Sequence, residues 1–120
     1  MQRGDVWWST YDDEFPVVVL SERDAVQIVA AATPEQRRGY VLLAPEEAVE
    51  ARPTGLAGIE VPLDGLPRPG VVRLALPHQG HIFCTWRLSL TREDLTSYVC
   101  RLSPATMSRL ELGLRLAEME

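Results

Sequence analysis

His78 and His81 flank Gln79-Gly80 and are the two histidines of the chain. An imidazole titrates near neutrality, so such a pair suits acid–base work on RNA or half of a metal site. The surroundings favour a plainer role, because residues 77–80 have the composition of a hairpin turn and no acidic or cysteine ligand stands nearby at metal-binding spacing. Arg37 and Arg38 place two guanidinium groups in a loop, where they can contact phosphate, although a charge pair in a loop is more often only solvated. Trp7, Trp8 and Trp86 offer flat faces on which nucleobases stack. Alternation along a strand sends Trp7 and Trp8 to opposite faces, so that at most one enters the core and the other lines a groove or an interface. Asp12, Asp13 and Glu14 bind a cation only if their loop folds back, and read as a solvated turn. Cys84 and Cys100 are too few for a disulfide scaffold and are not spaced like zinc ligands, which leaves two buried thiols.

Composition bounds what can carry these groups. The 120 residues, 46% hydrophobic, suffice for one core of ordinary size, so residues 1–120 are expected to form a single domain. No apolar run approaches the ~20 residues that cross a bilayer, and the N-terminus lacks a basic segment followed by an apolar stretch, so a cytoplasmic protein without membrane contact is expected. All twelve basic residues are arginines, and the net charge of −5 is uneven: residues 1–60 hold 5 arginines against 11 acidic residues, residues 61–120 hold 7 against 6. Such a balance argues against non-specific binding to nucleic acid, which needs a basic surface, but leaves room for a local arginine cluster.

The groups must be positioned by short strands. Residues 5–10 are β-branched and aromatic, residues 11–14 form a polar turn, and residues 16–21 open with a proline that tolerates only a strand's start. Residues 24–32 have apolar spacing compatible with a helix, with a strand over 26–31 nearly as good. Residues 40–43, 59–63, 71–76, 82–90 and 98–102 read as further strands, and residues 94–96 as a short connector. The acidic, proline-punctuated stretch 45–55 is expected to be an exposed loop. The final helix carries the best signals: Ser103 as N-cap, Pro104 at the first helical position, and Met107, Leu110 and Leu114 on one face widened by Leu112 and Leu116. It should close a compact, curled, mostly antiparallel barrel, a mainly β arrangement within the α+β class.

Three stretches in order, Arg3-Gly4-Asp5-Val6-Trp7-Trp8, Pro16-Val17-Val18-Val19-Leu20-Ser21 and Leu102-Ser103-Pro104-Ala105-Thr106-Met107, resemble the MazF/PemK toxins of bacterial type II toxin–antitoxin systems. Leu90-Thr91-Arg92-Glu93-Asp94-Leu95 is similar to that family's connector before its final strand. The resemblance spans roughly both ends of the chain. It implies a small SH3-like antiparallel barrel of the MazF/CcdB-like type with a C-terminal helix, a homodimer, and a cognate antitoxin as partner. The implied activity is that of an mRNA interferase: metal-independent, sequence-selective cleavage of single-stranded RNA without a cofactor, by attack of a ribose 2′-OH on the adjacent phosphorus. That reaction needs a proton acceptor, a cation for the phosphoryl oxygens and a donor for the leaving 5′ oxygen.

In the family the cation is an arginine directly before the proline of the second strand, with a threonine at the end of the third strand. Here Phe15 precedes Pro16, and the nearest hydroxyl in the threonine's region is Thr54, with Arg52 two residues before it. The resemblance therefore implies either a rearranged catalytic site on Arg52 and Thr54, with Arg37, Arg38 and Trp8 binding RNA, or a dimeric binding protein that keeps the fold without the catalysis.

Overall fold

The structure, a computed structural model, describes residues 2–10, 15–35, 41–50, 57–75 and 87–117. Strands β1 (Asp5–Ser9) and β2 (Phe15–Val19) form the N-terminal hairpin, pairing antiparallel from Val6 opposite Val18 to Ser9 opposite Phe15. Five strands make the first sheet, in the order β7-β3-β2-β1-β8, with β3 at Asp24–Gln27, β7 at Arg87–Ser89 and β8 at Leu95–Arg101. Three make the second, in the order β4-β5-β6, with β4 at Val41–Leu43, β5 at Ala57–Leu63 and β6 at Gly70–Ala75. All pairings between these strands are antiparallel except β4 with β5. The fold is thus α+β and mainly β, and the two sheets meet through a single antiparallel bridge among the described residues, Val29 with Val71.

Three expectations are corrected. The segment from residue 24 is a strand and not a helix: Ala25 and Val26 are buried in β3, and the ladder to β2 satisfies the backbone that a helix would have satisfied internally. The stretch from residue 45 is not an exposed loop at its start, because Pro45–Glu50 form a short helix, α1, whose Pro45 and Ala48 are buried. Proline at a first helical position sacrifices no hydrogen bond, and the Glu47 carboxylate reaches back to accept from the Ala44 N–H at 3.0 Å. This helix is also what permits β4 and β5 to run parallel, since a parallel pair requires a crossover between its strands. Finally, β8 begins at Leu95, within the supposed connector; a 3₁₀ turn at Arg92–Asp94 precedes it.

The last helix, α2 (Pro104–Leu116), forms where its signals place it, with the Ser103 hydroxyl accepting from the Thr106 N–H at 3.2 Å. It packs on the second sheet so closely that a Cβ on Gly113 would stand 3.1 Å from Leu74 Cδ1. Leu110 and Leu114 are fully buried there, in one core with Val6, Val18 and Val26 from the first sheet and Ile59, Val61, Val72 and Leu74 from the second. Strand β5 alternates as a half-buried strand must, Ile59, Val61 and Leu63 inward, Glu60 and Pro62 outward. Pro62 is tolerated because β4 pairs only as far as Ile59 and leaves that side of β5 unpaired at Pro62.

The outer face of the first sheet is covered differently. Between β7 and β8 the chain crosses that face as a strap, from Leu90, whose N–H donates to the Arg23 carbonyl at 2.7 Å, to Asp94, whose carbonyl accepts from the Thr10 N–H at 2.9 Å. Beneath it Val17, Ala25 and Leu90 form a second buried cluster, edged by Trp7, Phe15, Leu88 and Leu95. The strap is braced internally, since the Asp94 carboxylate accepts from both the N–H and the hydroxyl of Thr91.

At the start of the chain, the buried Asp5 carboxylate joins β1 to β8 by accepting from Arg101 Nε at 2.9 Å, and its other oxygen accepts from the Gln2 N–H at 2.8 Å. Burial alone would raise the Asp5 pKa, but the Arg101 hydrogen bond, the Gln2 N–H and the guanidinium charge outweigh it and hold the carboxyl below its ordinary value. A carboxyl with a depressed folded-state pKa adds stability above its unfolded pKa and loses it as pH falls through the folded one. Asp5→Asn should therefore lower stability by about 1–3 kcal/mol at pH 7, and the gap to wild type should close as the pH is taken below the ordinary aspartate range; urea denaturation at pH 7 and in strong acid measures both.

Candidate nucleic-acid interface

An open apolar groove of about 420 Å³ lies at the Phe15 end of the hairpin. Trp8 comes to it from β1, Phe15 and Pro16 from the start of β2, and Val99 from β8; Val6 also contributes. Ile28, Val29 and Ala30 enter from the run after β3, and Leu66, Pro67, Arg68, Pro69 and Gly70 from the β5–β6 loop. Arg68 is the one charged side chain among the lining residues.

Strand alternation explains why Trp8 is present and Trp7 is not. Val6 and Trp8 share a face of β1, and Val6 is wholly buried in the main core, so the half-buried Trp8 continues that face beyond the core into the groove. Trp7 turns to the opposite face, where it packs at the rim of the strap cluster and meets Tyr98 edge to face, 5.6 Å between ring centroids at 74°. Its buried indole N–H finds no acceptor among the described residues.

Two polar clamps hold the groove's walls. Glu60 and Arg73 are directly opposed on β5 and β6 and are ion-paired at 3.2 Å. Glu60 Oε1 also accepts from the Ala32 N–H at 2.8 Å, and Arg73 donates to the Ala30 carbonyl at 2.7 Å, so the run after β3 is pinned to the second sheet. The second clamp fixes the start of the β5–β6 loop: the Thr106 hydroxyl, at the first turn of α2, donates to Asp64 Oδ1 at 2.7 Å. That hydrogen bond holds the Asp64 carboxyl below its ordinary value against the opposing effect of burial. Gly65 follows with φ +75°, a turn conformation that side chains rarely adopt. The nearby Cys100 thiol is pushed up, first by burial and then by the Asp64 charge, which suits an inert thiol rather than a nucleophile.

Of the residues singled out in the sequence, Trp8 stands in the groove. Arg37, Arg38, Arg52 and Thr54 lie outside the described residues, as do His78, His81, Asp12, Asp13, Glu14, Cys84 and Trp86. Phe15, directly before Pro16, is half-buried and touches both the groove and the strap cluster. Sequence reasoning missed Arg68: Asp64-Gly65-Leu66-Pro67-Arg68-Pro69-Gly70 reads only as turn chemistry, and nothing local shows that β3 runs on to meet that loop. Among the described residues no group of three or more His, Cys, Asp or Glu is placed to hold a metal ion, and no helix is long and apolar enough to cross a membrane.

At Gly70 the groove's two sides leave no room for a side chain, since a Cβ there would stand 2.6 Å from Ile28 Cγ2. Gly70→Ala should force the loop and the run after β3 apart and cost about 1–3 kcal/mol in chemical denaturation while the circular dichroism spectrum is retained. No protein-family model matches the chain, and no curated protein matches it either, so a functional reading rests on the groove and on the residues that line it.

Proposed function

We propose that this protein is a MazF/PemK-like toxin of a bacterial toxin–antitoxin system, a cytoplasmic, metal-independent endoribonuclease that binds single-stranded RNA in the groove beside the N-terminal hairpin. The observation that carries the reading is the half-buried Trp8 in an apolar groove whose one charged lining residue is Arg68. An indole stacks on any base and an arginine pairs with the adjoining phosphate, which together are the minimum equipment of a single-strand binder. The strand-rich fold with two sheets, a covering helix and an opening hairpin is compatible with an SH3-like barrel of that family. Homodimerisation and capture by a cognate antitoxin follow from the same resemblance.

Catalysis in this reading falls to Arg52 and Thr54: the guanidinium would neutralise charge gathering on the phosphoryl oxygens, and the hydroxyl would donate a hydrogen bond to one of them. A second reading, an RNA-binding or antitoxin-binding relative without nuclease activity, is favoured by Phe15. Its ring is partly buried between groove and strap, in the position where the family keeps its cation, and it supplies no charge for a phosphorane.

The two are separated by incubating the purified protein with unstructured RNA in chelator. The toxin reading expects fragments ending in 2′,3′-cyclic phosphate and a loss of about 100-fold or more in rate for Arg52→Ala; intact RNA at high protein concentration leaves the binding protein. Wherever the groove binds RNA, with or without cleavage, Trp8→Ala should weaken binding of an oligouridine by about 5- to 100-fold, read by fluorescence anisotropy of a labelled oligonucleotide.

A further inference from the structure

The strap that covers the outer face of the first sheet brings two arginines into one open cleft. Arg23 sits in the turn between β2 and β3, and Arg92 in the 3₁₀ turn of the strap; with Glu22 and Thr91 they line a space of about 390 Å³. Sequence alone separates them by some seventy positions, and the backbone bond from the Leu90 N–H to the Arg23 carbonyl is what closes that distance.

Several of the other described arginines are already committed to acids. Arg73, Arg101 and Arg109 each hold a carboxylate, Glu60, Asp5 and Glu46 respectively. Among the described residues neither Arg23 nor Arg92 makes a side-chain hydrogen bond or an ion pair, although both are exposed in a chain of net charge −5. Glu22 is the one carboxylate in the cleft lining, against two guanidinium groups. On the strap, the exposed Glu93 follows Arg92 directly but is not among the residues that line the cleft, and Asp94 is committed to the Thr91 N–H and hydroxyl. The Thr91 hydroxyl hydrogen is thereby used, so the free donors facing a ligand are the planar N–H forks of the two arginines, whose geometry matches the oxygens of a phosphate.

We propose that Arg23 and Arg92 form a phosphate-binding site. It is distinct from the Trp8 groove, since the groove lies at the Phe15 end of β2 and the cleft beyond its Val19 end, roughly 15 Å along the strand. The phosphate is either a backbone diester of a bound polynucleotide, in which case the site extends the RNA reading, or a free phosphate, in which case it stands without it.

The test follows the arginine Nε–Hε resonances of the ¹⁵N-labelled protein during titration with inorganic phosphate, with chloride at equal ionic strength as control, and then with a twelve-residue oligouridine. Both resonances should shift saturably with phosphate. Read from the backbone amide resonances of Glu22 and Thr91, which line the cleft, Arg23→Gln and Arg92→Gln should each weaken that binding at least about fivefold, the double variant should reduce it to the chloride control, and Arg115→Gln on α2 should leave it unchanged. Shifts of these resonances by the oligouridine as well identify the polynucleotide as the source; shifts by phosphate alone identify free phosphate, and the site stands even if the RNA reading fails. Arginine shifts no larger than with chloride, or Glu22 and Thr91 amide shifts unaffected by the double substitution, overturn the proposal. So does an oligouridine that moves the Trp8 indole resonance but, like phosphate, neither arginine; that result leaves the groove reading standing.

Discussion

Val29 and Val71 exchange two backbone hydrogen bonds, each 2.8 Å, and through this bridge the two sheets become one structure. Either sheet alone has an apolar face that would meet water. The bridge sets the spacing between them, so that Val18 and Val26 of one sheet and Val61 and Val72 of the other share a core that α2 then closes. It also decides where the groove lies. Ile28, Val29 and Ala30 are on one side of the bridge, the 66–70 loop and β6 on the other, and the two sides can close up at Gly70 because it presents no side chain to Ile28.

The surrounding polar groups hold this arrangement rather than create it. Glu60 and Arg73 are mostly buried and paired, and each spends a further hydrogen bond on the backbone just past the bridge. Such a pair adds little net stability against an apolar substitute, but losing one partner would leave an uncompensated charge, so its effect is to penalise any other placement of the Ala30 to Ala32 backbone. The Asp64 to Thr106 bond plays the same part for the opposite wall. A groove built this way keeps its shape without a ligand, which lowers the ordering cost of binding one.

The outer face of the first sheet solves its own burial problem with the strap. Leu90 descends onto Val17 and Ala25, and Asp94 turns inward on Thr91 so that the crossing segment satisfies its own polar groups. One consequence is chemical: a segment placed for burial carries Arg92 to the side of Arg23. The apolar contacts beneath are the reason for the placement, and the two guanidinium groups above are its by-product.

Local chemistry determined much of this protein. The Ser103 cap and Pro104 fixed the start of α2, the alternation of Ile59, Val61 and Leu63 marked β5, and the Trp7-Trp8 pair had to divide between two faces, because each of these depends only on neighbours within a turn or a strand. Residues 24–27 were ambiguous since Ala25, Ile28 and Val29 satisfy a helical period as well as a strand, and only pairing with β2 selects between them. Residues 45–50 looked exposed because their acids and proline are polar and turn-like, whereas burial of Pro45 and Ala48 depends on what packs above them. The groove and the arginine cleft belong wholly to the tertiary structure. Trp8 with Arg68, and Arg23 with Arg92, are joined by strand pairings between distant segments, and no local period or spacing encodes a contact whose two halves are set by separate stretches of chain.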